Sequence, residues 1–338
     1  ACRCVSQGGD ESLIERRRGE EIMNMENVLL RNGRTIPAIG FGTGVVLRYS
    51  RNPLLFLRSR MRAVLSSIKH RRLDAGLRSD FCMDRIVKQA IQMDYRLFDC
   101  GRIYGYSEVM VGRGLSRSAI VRDDFFLVTK ISDMDIMRPN SPNDVRGNLM
   151  DSLRYLGTSY VDAYLLHWPH GGWIDIYRHM EDLYEEGVAH AIGVCNFTVA
   201  HFVELEKHAR IAPMICQLEL HPLNTKKEIR EYCKEHGAVV MAHTPTGRMC
   251  EKIRQNKVLQ ELAHTHGKTI AQIIIRWHYQ NHVVPIIASK NPVHMRENLD
   301  IFDFQLSEEE MQMIEAQNEG YVMLSGNGID DPNYIYNL

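Results

Sequence analysis

The chain has 338 residues, 44% of them hydrophobic and 25% charged, with 41 Lys+Arg against 42 Asp+Glu and a formal net charge of -1. That balance excludes a largely disordered chain or a fibrous repeat. It also gives no global ground for a nucleic-acid or acidic-membrane partner. The charge is locally uneven: nine Lys/Arg and only two acids lie between Arg48 and Asp80. No apolar run is long enough for a membrane span. The eight cysteines are irregularly spaced, with no paired CxxC motifs. They are expected to be free thiols in a cytoplasmic protein with no metal site. Residues 1–27 lack the apolar core of a secretory signal and are expected to form a flexible tail.

In chain order, Val28–Leu30 and Thr35–Ile36 flank Asn32-Gly33 and predict a β-hairpin. Ala38–Gly42 predicts a short buried strand. Residues 45–80 have no clear periodicity; they carry an apolar run at Leu54–Leu57, a candidate helix over Met61–His70 and the basic excess, and are expected to be an insertion. Beyond Asp80 the pattern alternates. Helices are predicted over Met83–Met93, Glu108–Leu115, from Ser141, and over Ile174–Glu186, Val199–His208, Lys226–His236, Lys257–His266, Thr269–Gln280 and Pro292–Leu299. Strands are predicted over Tyr95–Asp99, Phe125–Thr129, Val161–His167, His190–Val194, Ile215–Glu219, Val239–His243 and Val283–Ile287. With Ala38–Gly42 this makes about eight strands alternating with helices, the rhythm of an α/β (β/α)8 TIM barrel. The competing doubly wound sheet usually carries G-x-G-x-x-G after its first strand. Gly40-Phe41-Gly42-Thr43-Gly44 lacks the final glycine.

Barrel chemistry collects where strands end. Asp99 closes one strand, Lys130 follows the next, His167 follows Leu165-Leu166, and Tyr104 lies just beyond Asp99. One polar residue ending a strand is ordinary; several on successive strands must converge on one mouth. A tyrosine has an ordinary pKa near 10, and a nearby ammonium is expected to lower it. A buried lysine in turn needs a carboxylate. Asp99–Lys130–Tyr104 is therefore a coherent proton relay, and His167 can orient a carbonyl. A proton delivered to carbonyl oxygen implies hydride delivered to carbon, which no side chain supplies.

Across residues 28–320 the sequence resembles the aldo-keto reductase superfamily. The motifs are Phe98-Asp99-Cys100-Gly101-Arg102-Ile103-Tyr104, Thr129-Lys130, Leu166-His167-Trp168-Pro169, Gly193-Val194-Cys195-Asn196-Phe197, Gln217-Leu218-Glu219-Leu220-His221-Pro222 and Arg296-Glu297-Asn298. The resemblance implies a catalytic tetrad of Asp99, Tyr104, Lys130 and His167. It implies a nicotinamide cofactor across the barrel mouth, contacted by Gly42, Thr43, Asp99, Cys195, Asn196, Gln217, His243, Thr244, Thr246, Ser289, Lys290, His294, Glu297 and Asn298. Asn196 and Gln217 would hold the carboxamide. Gly44, Tyr104, His167 and Trp168 would line the substrate pocket.

Several positions depart from the family pattern. Cys195 replaces a usual serine, and His243 the tyrosine that stacks beneath nicotinamide. Thr246 replaces a leucine, and Gly44 stands where relatives carry tryptophan. Ala288 and His294 occupy the positions of two cations around the 2'-phosphate, with Lys290 two residues late. NADP(H) is favoured over NAD(H) on family habit. The expected activity is reduction of an aldehyde or ketone to an alcohol, the partner being a small-molecule carbonyl or alcohol substrate. The alternative is a nicotinamide-binding regulatory or accessory subunit with little turnover. A monomer or weak homodimer is expected, with residues 321–338 as a C-terminal tail near the mouth and 45–80 on the same face. His70, His179, His201, His208, His236 and His264 are read as surface or helix histidines.

Overall fold

The computed structural model describes residues 27–44, 78–104, 107–131, 145–169 and 171–323. The expectations for 1–26, for 45–77, for the helix start at Ser141 and for 324–338 lie outside the described residues.

Two short strands, β1 (Val28–Leu29) and β2 (Thr35–Ile36), pair antiparallel around Asn32-Gly33, where Gly33 takes the left-handed backbone at φ 82° that such a turn requires. Eight parallel strands then close a barrel. They are β3 (Gly40–Gly42), β4 (Leu97–Asp99), β5 (Phe126–Ile131), β6 (Ala163–Leu166), β7 (Ile192–Cys195), β8 (Ile215–Glu219), β9 (Val239–His243) and β10 (Val284–Ile287), with β10 returning to β3. The helices between them are α1 (Arg78–Gln92), α2 (Ser107–Ser116), α3 (Val145–Leu156), α4 (Trp173–Glu185), α5 (Val199–Glu206), α6 (Lys227–Glu235), α7 (Glu251–Gln255), α8 (Lys257–His266) and α9 (Ile270–Gln280). α10 (Pro292–Glu297) and α11 (Glu308–Glu315) follow β10. This is the (β/α)8 barrel that the alternation predicts.

The two-residue period of a strand sorts the apolar side chains into two cores. Leu97, Val128, Leu165, Ile215, Met241 and Ile286 face inward and fill the barrel. Phe98, Leu127, Leu166, Val194, Val240 and Ile287 face outward against the helices. Leu30 and Ile36 of the hairpin join the inner core, so β1 and β2 close the end of the barrel opposite the strand C-termini. Gly193 is needed where β7 lies tight on β8: a Cβ there would sit 2.4 Å from the Ile215 carbonyl oxygen. No helix among the described residues is long and apolar enough to cross a membrane.

Helix starts follow local side-chain chemistry. Thr198, Thr269 and Ser307 each cap a helix reciprocally with the residue three positions on, respectively His201, Gln272 and Glu310. Of the histidines read as surface or helix residues, His201 lies on helix α5. It is buried, caps α5 and packs on Trp173 and Phe197.

Candidate active site

The inward parity of β4 and β5 places Asp99 and Lys130 side by side at the open end of the barrel. Their strands pair in register, Asp99 opposite Val128 and Gly42 opposite Asp99. Lys130 Nζ donates to Asp99 Oδ1 at 2.6 Å and to the Cys100 carbonyl at 2.9 Å, and its side chain is fully buried. Gln217, inward on β8, donates from Nε2 to the same Asp99 oxygen at 3.1 Å. Thr43 is fully buried, and both its backbone N–H and its hydroxyl donate to the Asp99 carbonyl, at 3.0 and 2.7 Å. Asp99 is thus fixed in main chain and side chain alike.

Tyr104 ends a single helical turn, Arg102–Tyr104, beyond β4. Lys130 Nζ lies 4.9 Å from the centre of its ring, and His167 packs edge-on against it at 5.8 Å between centroids. All four members of the expected tetrad therefore meet. Burial alone works against the Lys130 ammonium, but Asp99 and Tyr104 outweigh it and hold the group above the usual lysine range. The expected lowering of Tyr104 is not found. Burial pushes its phenol up to about 12, and Lys130 opposes that without overcoming it. Sequence shows the ammonium but not how much water the fold removes from the phenol.

Asn196 follows β7 in a left-handed conformation, φ 60°. Its Nδ2 donates to the His167 carbonyl at 3.1 Å, and its Oδ1 lies 3.2 Å from His243 Nε2. His243 Nδ1 is 3.3 Å from the Thr244 hydroxyl. Burial pushes the His243 imidazole down to about 4, against the pull of Glu219. Cys195 is fully buried, with its thiol 4.0 Å from Gln217 Oε1. Trp168, half-buried and with its ring centre 6.2 Å from that of His167, borders a cavity of about 450 Å³ shared with Asn196, Leu218, Glu219, His243 and Val322. A Cβ on Gly44 would reach the Tyr104 ring at 3.4 Å, so Gly44 borders the tyrosine.

The adenosine-end candidates lie apart from these residues, around β10 and α10. Ser289 is half-buried and turns its hydroxyl to the Asn291 backbone, whereas Lys290 and His294 are exposed. Glu297 is half-buried, and Asn298 is buried behind it. Gly42 packs under Ile286 and Ala288. Thr246 precedes the turn Gly247–Met249 beside β9.

Two residues near the site have no role in the sequence reading, although Glu219 stands in one of its motifs. Glu219 accepts from the Met323 backbone N–H at 2.6 Å and contacts His221 at 3.2 Å, fastening the chain after α11 to the end of β8. Glu108 on α2 is buried behind the site and accepts from Thr129 at 2.6 Å, and burial raises it above the usual carboxylate range. An acid on the apolar side of a predicted helix was its signal. Among the described residues no group of three or more His, Cys, Asp or Glu is placed to hold a metal ion. Cys100, Cys195, Cys216, Cys233 and Cys250 are free.

The barrel brings a buried lysine–carboxylate pair, a tyrosine and a histidine together at one mouth. The model of the aldo/keto reductase family matches residues 82–319. The chain belongs to that family. It is 40% identical to a glyoxal reductase of Bacillus subtilis over 234 residues, 69% of this chain and 82% of the relative. It is 39% identical to a 9,11-endoperoxide prostaglandin H2 reductase of Trypanosoma cruzi over 235 residues, 69% of this chain and 81% of the relative. Among solved structures, an aldo/keto reductase from Brucella melitensis aligns with a TM-score of 0.71 and 30% identity, covering 87% of this chain and all of that one. An aldo-keto reductase of Bombyx mori, solved in complex with NADP, aligns with a TM-score of 0.73 and 27% identity, covering 92% and 98% of the two chains.

Proposed function

We propose that this chain reduces an aldehyde or ketone to an alcohol with NADP(H), Tyr104 acting as general acid. The observation that carries this reading is the fully buried Lys130, paired with Asp99 at 2.6 Å beneath the Tyr104 ring. A buried ion pair contributes little net stability, which leaves its charge as the reason to keep it there.

The residues fit a nicotinamide carboxamide. A primary amide needs one donor and one acceptor. Asn196 Nδ2 has a second hydrogen with no acceptor among the described residues. Among the described residues Gln217 Oε1 has only a long thiol contact at 4.0 Å, which leaves it open to a better donor. The NADP bound in the Bombyx mori structure supports NADP(H) ahead of NAD(H). When bound, the cofactor would supply the hydride.

The chain's own groups do the rest. His167 orients the carbonyl oxygen towards Tyr104. The Tyr104 phenol, raised to about 12, stays protonated at neutral pH and has a proton to give. The phenolate left behind is stabilised by the Lys130 ammonium, and Asp99 keeps that ammonium charged. Trp168 and Gly44 shape the entrance. Relatives named for glyoxal and prostaglandin H2 support small and large oxygenated substrates alike.

The test is NADPH consumption across a panel of aldehydes and ketones, with product alcohol identified. Turnover supports the enzyme. Tight NADPH binding with no turnover across the panel would favour the accessory-protein reading instead.

A further inference from the structure

We infer that His243 is a positioning residue whose Nε2–H sets the orientation of the Asn196 amide, rather than serving only as a stacking surface. The inference rests on the proposed nicotinamide site. The geometry starts from a backbone carbonyl, which can only accept. The His167 carbonyl lies 3.1 Å from one end of the Asn196 amide, so that end is the nitrogen. The other end is then the oxygen, 3.2 Å from His243 Nε2. An acceptor facing Nε2 requires that nitrogen to carry the proton. Nδ1 is left as the acceptor for the Thr244 hydroxyl at 3.3 Å. Both ring nitrogens are satisfied by one neutral tautomer, and the desolvated setting that keeps the imidazole uncharged agrees with it.

The consequence reaches the active site. Asn196 sits in a left-handed conformation after β7, with its side chain held at both ends: His167 on one side, His243 on the other. Removing the His243 donor leaves Oδ1 without its partner, and the amide is then free to turn. The second Nδ2 hydrogen no longer points consistently towards a carboxamide oxygen. A phenylalanine at 243 keeps an aromatic face and loses the donor. A glutamine loses the ring and keeps an N–H at similar reach. Stacking and hydrogen bonding therefore make opposite rankings.

The test uses the full chain. Dissociation constants for NADP+ are measured by quenching of protein fluorescence for wild type, His243→Phe and His243→Gln, with thermal melts to check folding. His243→Phe is expected to weaken binding about 5-fold, the equivalent of one net hydrogen bond of about 1 kcal/mol. His243→Gln is expected to stay within about 2-fold of wild type, because the donor is retained. Binding weakened as much or more by Gln than by Phe would overturn the inference. Independently, histidine 15N shifts of the cofactor-free wild type are expected to show His243 protonated at Nε2 and bare at Nδ1. The opposite tautomer would also overturn it. If wild type binds neither NADP+ nor NAD+, the functional reading fails, and the tautomer measurement alone decides the hydrogen bond.

Discussion

Replacing Lys130 with methionine should destabilise the fold while also removing activity, and the two losses should separate. At an effective dielectric of about 20, unit charges 2.6 Å apart attract by about 6 kcal/mol. Desolvation of both partners offsets much of that attraction, so the pair itself contributes little net stability. Removing only the ammonium is different. Asp99 is 4% exposed, so it would keep a buried charge with only the Gln217 amide as side-chain donor among the described residues. Orphaned charges of this kind cost about 3–5 kcal/mol. Adding Asp99→Asn removes the second charge, and the double variant should recover most of that loss without recovering activity. Urea unfolding with linear extrapolation measures all four members of the cycle. A Lys130→Met cost below about 1 kcal/mol, or a double variant no more stable than the single, would refute the buried-pair reasoning.

Other consequences are direct. Because the Tyr104 phenol is raised to about 12, it is protonated throughout the neutral range; reduction should be flat there and decline only on the alkaline side, whereas alcohol oxidation, which needs the phenolate, should climb with pH. Rate profiles in both directions check this, and an alkaline limb already present at neutral pH would place the proton on another group. Gly193→Ala puts a Cβ 2.4 Å from the Ile215 carbonyl oxygen and should cost about 1–3 kcal/mol, read as a lower unfolding midpoint. Thr198→Ala removes the hydroxyl that accepts from the His201 N–H and should cost about 1 kcal/mol, read as a lower unfolding midpoint.

Much of the barrel was legible because strand period and helix period leave different marks. β8 and β9 match the predicted Ile215–Glu219 and Val239–His243, both short apolar runs ending in a polar residue. Helix ends were less clear. α1 begins at Arg78, before the predicted Met83, because the polar segment Arg78–Asp80 carries no apolar stripe. α11 was not predicted, although Ser307 and Glu310 form a capping box that the sequence spells out. The cluster was legible because Asp99, Lys130 and His167 lie at the ends of successive strands and Tyr104 follows in the turn after Asp99. The Asn196–His243 contact was not, since it joins two strand ends 47 positions apart through side-chain rotation. The direction of the Tyr104 shift was hidden for a related reason: burial is a property of the packed mouth, not of neighbouring letters.

The proposed proton donor is tested most directly by Tyr104→Phe. The variant keeps the ring that packs against His167 and removes only the hydroxyl. Steady-state reduction should fall by about 100-fold or more, the range lost with a general acid. NADPH affinity should hold within about 2-fold, because no carboxamide contact is touched. Carbonyl reduction at wild-type rate in the folded variant would contradict the account.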